Sequence, residues 1–145
     1  MAIAIHPVTA DDSGQGGLQL LITAGPARFV ADEPIELGGL GLGPTPHELV
    51  AAALAACTSQ TLRLYAKRKA WPLGPVRVSV VHRREPSQNP PDVFDRIIAL
   101  RGPLDDEQRT RLLEIADRCP VHLLLTGGAA INTSLAALES SALGG

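Results

Sequence analysis

Apolar residues recur along this chain with two different periods, and the switches between them mark out its elements. From Leu18 to Asp32 two short apolar runs flank Gly25-Pro26, the pattern of a β-hairpin. Ahead of it, Ile3–Val8 reads as an edge strand and residues 11–17 as a polar, glycine-containing turn. From His47 to Ala70 no proline or glycine interrupts the chain, and apolar residues fall at helical spacings. Thr45 supplies a hydroxyl N-cap, Pro46 takes the first helical position and Glu48 completes a capping box. The spacing predicts a helix over Pro46–Lys69, roughly 36 Å long at 1.5 Å per residue. Its expected buried stripe is Leu49, Val50, Ala53, Leu54, Cys57, Leu64 and Tyr65. Residues 51–56 are apolar on nearly every side, so the first half should be buried on more than one face. One chain of 145 residues can hardly surround such a helix, which points to an oligomer.

Beyond Trp71-Pro72-Leu73-Gly74-Pro75 the period changes to two. Val76, Val78 and Val80 alternate with Arg77 and Ser79, as a half-buried strand requires, and the strand continues to about Arg84. Pro86, Pro90 and Pro91 make a loop, and Val93–Arg101 resumes as the antiparallel partner. Asp105, with Gln108 three residues on, forms a second capping box. Leu112, Ile115, Ala116 and Cys119 then give the stripe of a helix that Pro120 should end. Residues 129–135 read as a last strand. There is no internal repeat and no linker, so residues 1–145 are expected to form one domain. Strand pairs separated by helices, without regular βαβ alternation, place it in the α+β class.

Composition narrows the function. Thirteen basic and fifteen acidic residues leave a charge of −2, without the basic excess that nucleic-acid binding rests on. Aromatics make up only 3% of the chain, too few for a base-stacking platform. No apolar run approaches the 18 or so residues needed to span a bilayer, and the first residues lack the features of a signal peptide, so the cytoplasm is the expected location. Two cysteines in that compartment are unlike a structural disulfide framework. No CxxC or closely spaced His pair suggests a metal site.

Cys57 and Cys119, 62 residues apart, read in two ways. They are small buried hydrophobes, or they are a reactive pair in which one thiolate meets an oxidant and the other resolves the sulfenic acid. The second reading needs a cation, because Cys57 lies too far along its helix for the N-terminal dipole to act. Arg28 is the only Arg or Lys before Arg63, so any cation from the amino-terminal third is Arg28; otherwise it is a solvated strand residue. Arg118 adjoins Cys119 but should point elsewhere. Glu48 could orient an arginine, or simply cap the helix. His47 and His122 are possible proton handlers or polar residues near helix ends. Gly38–Gly43 lacks both the P-loop ending and the dinucleotide spacing, and reads instead as a flexible loop that reorganises near the site.

Several of these stretches resemble one family. Gly43-Pro44-Thr45-Pro46-His47-Glu48-Leu49 leading to Ala55-Ala56-Cys57-Thr58, and Cys119-Pro120-Val121-His122, are similar to the osmotically inducible protein C and organic hydroperoxide resistance (OsmC/Ohr) family. Asp32-Glu33-Pro34, the Tyr65–Leu73 stretch and the Leu112–Asp117 stretch resemble its OsmC-like branch.

That resemblance implies an intertwined homodimer of α+β subunits, with two central helices wrapped by antiparallel β-sheets and sites at the dimer interface. It implies a thiol peroxidase for organic hydroperoxides, with Cys57 peroxidatic and Cys119 resolving. A dithiol, carried by lipoylated proteins in the best-understood members, would reduce the disulfide, and neither a metal nor an organic cofactor would be needed. The chain departs from the family pattern at His47, ten residues before Cys57, where peroxidase members usually carry the Glu that holds an activating Arg. Glu48 follows one residue later, and Arg28 is the remaining arginine candidate. The alternative is a non-catalytic dimeric protein that binds a small ligand or senses oxidation.

Overall fold

A computed structural model describes residues 5–137, which form two antiparallel sheets and three α-helices. This is the α+β class that the sequence predicts. The first sheet holds β1 (Val8–Asp12), β2 (Leu20–Ala24) and β3 (Ala27–Ala31), in that order. Gly25, at φ 57°, takes the left-handed conformation that closes the β2–β3 hairpin, with Ala24 opposite Ala27. The edge strand lies later than Ile3–Val8. Val8–Asp12 pairs with all of β2, so Asp11 and Asp12 belong to the strand rather than to the turn. Residues 3 and 4 of the expected strand lie outside the described residues.

Helix α1 runs Pro46–Lys69 as its capping box predicts. It ends where Ala70 adopts φ 55° and the Trp71 N–H donates back to the Ala66 carbonyl at 2.9 Å. Its buried stripe is rotated from expectation: Ala51, Leu54, Thr58, Leu62 and Ala66 face inward. The all-apolar first half leaves the phase undetermined, and the second half sets it. Ala52, Ala53, Ala56 and Leu64 are exposed, so within one chain the first half is not covered on several sides.

Strands β4 (Val76–Arg84) and β5 (Asp92–Leu100) pair along their whole length, and β4 packs on α1. Helix α2 (Asp106–Ala116) closes the core, in which Leu62, Ala66, Leu112, Ile115 and Ala116 pack with Tyr65, Trp71 and Ile98. Two expectations are corrected after α2. The helix stops at Ala116 rather than near Cys119, and Pro120 begins α3 (Pro120–Gly127) instead of ending α2. Proline fits the first turn of a helix because its missing N–H would have no partner there. Residues 129–135 form no strand.

The glycine loop is pinned. Asp32 is 2% exposed, and its carboxylate accepts N–H groups from Glu33 (2.9 Å), Leu40 (3.1 Å) and Leu42 (3.3 Å), plus the Gln19 amide (3.4 Å). The Asp32 N–H donates to the Pro44 carbonyl at 3.0 Å. Glycine is required by close approach: a Cβ at Gly39 would overlap the Glu33 carbonyl, and one at Gly43 the Val30 carbonyl. Burial raises the Asp32 carboxyl, but its backbone donors and Gln19 outweigh that and hold it below the ordinary aspartate value. The expected flexible loop is thus a fixed bridge from β3 to α1.

Candidate active site

The turn between α2 and α3 carries Cys119 to the flank of α1. Cys119 is fully buried and Cys57 half-buried, and the two thiols lie close enough for each to perturb the other's ionisation. Cys119 is the N-cap residue of α3. Its side chain closes no formal cap, yet the Val121 and His122 N–H groups lie near enough to its sulfur to favour an anion there. Thr58, one residue beyond Cys57, is buried and also reaches the Cys119 sulfur. Cys57 has the Val121 N–H and the Thr61 hydroxyl as its other partners.

The cation beside this pair is Arg96, on β5. Its side chain is only 12% exposed. One guanidinium nitrogen donates to Thr58 Oγ1 at 3.0 Å and to the Ala116 carbonyl at 3.3 Å. The other donates to Asp117 Oδ1 at 3.0 Å and to His122 Nδ1 at 3.2 Å. Arginine suits the position because its planar fork serves several acceptors at once and keeps its charge when partly buried. Sequence reasoning overlooked Arg96, although a signal exists. On β5 the inward row is Phe94, Arg96, Ile98 and Leu100, so a charged residue interrupts an apolar period of two.

His82 interrupts the facing row of β4 in the same way, after Val76, Val78 and Val80. Its Nε2 lies 3.0 Å from Asp92 Oδ1, and its ring stacks on His47 with centroids 4.9 Å apart and planes 11° apart. These residues, with Phe94, Arg96, His122 and Leu125, line an open cleft of about 1220 Å³. Neither cysteine belongs to that lining.

The other candidates lie elsewhere. Arg28 is exposed on β3 opposite Thr23, and forms no hydrogen bond or ion pair among the described residues. Glu48 is exposed and accepts the Thr45 N–H at 3.3 Å, while Thr45 Oγ1 accepts the Glu48 N–H at 3.1 Å, so its carboxylate serves the helix start. Arg118 is exposed beside Thr61, Tyr65 and Arg68.

Burial pushes the Cys57 thiol up, and its hydrogen bond with Cys119 adds to the rise. Burial also acts to raise Cys119, but the bonds from Cys57, His122, Val121 and Thr58 outweigh it and bring that thiol below its ordinary value. Among the described residues no group of His, Cys, Asp and Glu could hold a metal ion, and no helix is long and apolar enough to cross a membrane.

Two thiols near the start of α3, with the largely buried Arg96 beside them, sit within an α+β fold. The family model described as OsmC-like protein matches residues 39–134, and the chain belongs to that family. Its fold is that of the OsmC/Ohr proteins. It is similar to an OsmC-like protein from Mycoplasma pneumoniae, with TM-score 0.69 and 17% identity over 87% of this chain and 90% of that one. It is also similar to the organic hydroperoxide resistance protein OhrB of Bacillus subtilis, with TM-score 0.60 and 24% identity over 87% of this chain and 93% of that one. An organic hydroperoxide resistance protein OsmC from Legionella pneumophila gives TM-score 0.56 and 25% identity, covering 86% and 93%. No curated protein matches the sequence.

Proposed function

We propose that the chain is a thiol-dependent peroxidase for organic hydroperoxides, working through Cys57 and Cys119. The observation that carries this reading is that the fold brings the two thiols close enough for each to perturb the other's ionisation. A pair of small hydrophobes would need no buried cation nearby, whereas here Arg96 reaches the pair through Thr58 at 3.0 Å. Cys57, the more exposed of the two, attacks the distal oxygen of the hydroperoxide as a thiolate. The O–O bond breaks, the alkoxide takes up the proton that the Cys57 thiol had released and leaves as the alcohol, and Cys57 becomes a sulfenic acid. Cys119 attacks that sulfur, water leaves and a disulfide forms. An external dithiol such as a lipoyl group returns both thiols by exchange. Sulfur carries all the redox change, so the cycle asks for no metal or organic cofactor.

The test is consumption of tert-butyl hydroperoxide against hydrogen peroxide, with dihydrolipoamide as reductant. Turnover of the organic peroxide is expected in the wild type and its loss in Cys57→Ser. The cleft of about 1220 Å³ favours a second reading, a small-ligand-binding module that does not turn over. That reading prevails if neither peroxide is consumed while both thiols are free.

The working form in this proposal is a homodimer. The exposed Ala52, Ala53, Ala56 and Leu64 of α1 make an apolar face that a second copy would cover. Sedimentation velocity should then give about twice the 15.2 kDa chain mass. A single species at the chain mass would remove the dimer from the proposal.

A further inference from the structure

We infer that Arg68, Lys69 and Arg118 form a docking surface for the protein that reduces the Cys57–Cys119 disulfide, and that this partner is acidic around its dithiol. The purpose of the surface rests on the peroxidase reading, while its charge and position do not.

The three cations meet around a hollow of about 530 Å³, lined besides by Thr61, Tyr65 and Ile115. All three are exposed, and none forms an ion pair among the described residues. Among the described residues no carboxylate lines this hollow. The nearby Arg111 is already engaged, donating to Tyr65 Oη at 3.1 Å and pairing with Glu114 at 2.9 Å. Lys69 Nζ lies over the Tyr65 ring, 5.7 Å from its centroid. Asp105, Asp106 and Glu107 line an adjoining hollow that shares Tyr65 and Lys69. Lys69 therefore stands at the boundary, and Arg68 and Arg118 carry the unopposed charge.

The surface borders both cysteines. Cys57, Thr61 and Arg68 lie at i, i+4 and i+11 of α1, on one face over three turns and roughly 16 Å of its axis. Arg118 adjoins Cys119 in the chain. The large cleft, by contrast, is lined by neither cysteine. Leu64, one turn before Arg68, belongs to the apolar face that the second copy covers, so the patch lies at the margin of that interface.

Charge identifies the partner. Exposed cations hold a small ion weakly, because water screens each pair, but together they steer and orient a charged surface. The chain as a whole carries −2, so an acidic protein is drawn to this patch and not to the molecule at large. Once it is seated, one thiolate of its dithiol attacks Cys57 Sγ, the more exposed sulfur. The S–S bond breaks and Cys119 leaves as a thiolate. The second thiolate of the partner then closes its own disulfide and releases Cys57. The two protons given up by the dithiol end on the two cysteines, and two electrons pass from dithiol to disulfide.

The test uses the full chain oxidised with diamide, and follows the release of its thiols. The reductants are a dihydrolipoyl-lysine peptide flanked by glutamates, the same peptide flanked by lysines, and uncharged dihydrolipoamide as the reference for each chain. No peroxide enters, so the outcome is separate from whether turnover is found. Relative to the reference, the glutamate peptide should react roughly tenfold faster than the lysine peptide at low salt, the lower end of electrostatic steering. High salt should close the gap. Arg68→Glu should remove the preference, and Arg118→Glu should do so independently, which guards against one variant that fails to fold. Equal relative rates for the two peptides in the wild type would overturn the inference. A preference for the lysine peptide, or one for the glutamate peptide that survives both substitutions, would overturn it as well.

Discussion

Asp32 and Cys119 are both acidic groups buried in this chain, and both lie below their ordinary pKa values. They differ in what surrounds them. Three of the Asp32 donors are backbone N–H groups that also hold the loop from Glu33 to Leu42, so ionisation and loop geometry are one event. The Cys119 donors include a hydroxyl that can turn and a neighbouring thiol whose proton can move. A charge fixed by backbone organises structure. A charge fixed by side chains with mobile hydrogens can do chemistry.

Substitutions should separate the two stations. The largest loss of stability is expected from Gly43→Ala, because its Cβ would meet the Val30 backbone carbonyl rather than a side chain that can yield. A cost of about 3 kcal/mol, the upper end for overpacking, should appear as a lowered denaturant midpoint. An unchanged midpoint would mean that the loop is looser than its contacts suggest.

Asp32→Asn comes next, and it makes stability less dependent on acid. With the folded pKa of Asp32 depressed, its contribution is complete above the ordinary aspartate value of about 3.9. That contribution is lost as pH falls through the lower folded value. The wild type should therefore lose its advantage over Asp32→Asn in that acid window and keep it at pH 7. Parallel melting curves at both pH values would show that the carboxylate is not held as described.

The smallest change in stability belongs to Thr58→Val, about 1 kcal/mol for one buried hydroxyl, because Arg96 keeps the Ala116 carbonyl. A much larger loss would make Thr58 a structural residue like Asp32 and blur the comparison.

How much of this was legible in the sequence depended on whether the signal was local. Thr45, Pro46 and Glu48 fix the start of α1 by chemistry within four residues, and the structure begins the helix there. The phase of α1 was not legible, because Ala51–Ala56 offers apolar side chains in every direction. Leu62 and Ala66, which face the core, decide it. Pro120 was misread because proline both stops one helix and starts another, and only the Cys119 N-cap distinguishes the two. The cysteines and their resemblance to OsmC/Ohr motifs were visible, but their contact spans 62 residues and depends on α2 folding back along α1. Arg96 was not legible from sequence proximity to either cysteine, and its clue lay in the inward row of β5.

The bond between Arg96 and His122 also fixes how the cleft looks to anything that enters it. A guanidinium can only donate, so His122 Nδ1 must be the acceptor across their 3.2 Å contact. The ring hydrogen of the neutral imidazole is then confined to Nε2. The tautomer of a cleft-lining ring is chosen by a neighbour before any guest arrives, and that ring offers a hydrogen from Nε2 rather than a lone pair. Nitrogen-15 chemical shifts of His122 would read that choice directly, and a hydrogen found on Nδ1 would contradict it. A molecule settling against His122 Nε2 must bring its own acceptor there, while Asp92 and Asp117 in the same lining receive its donors.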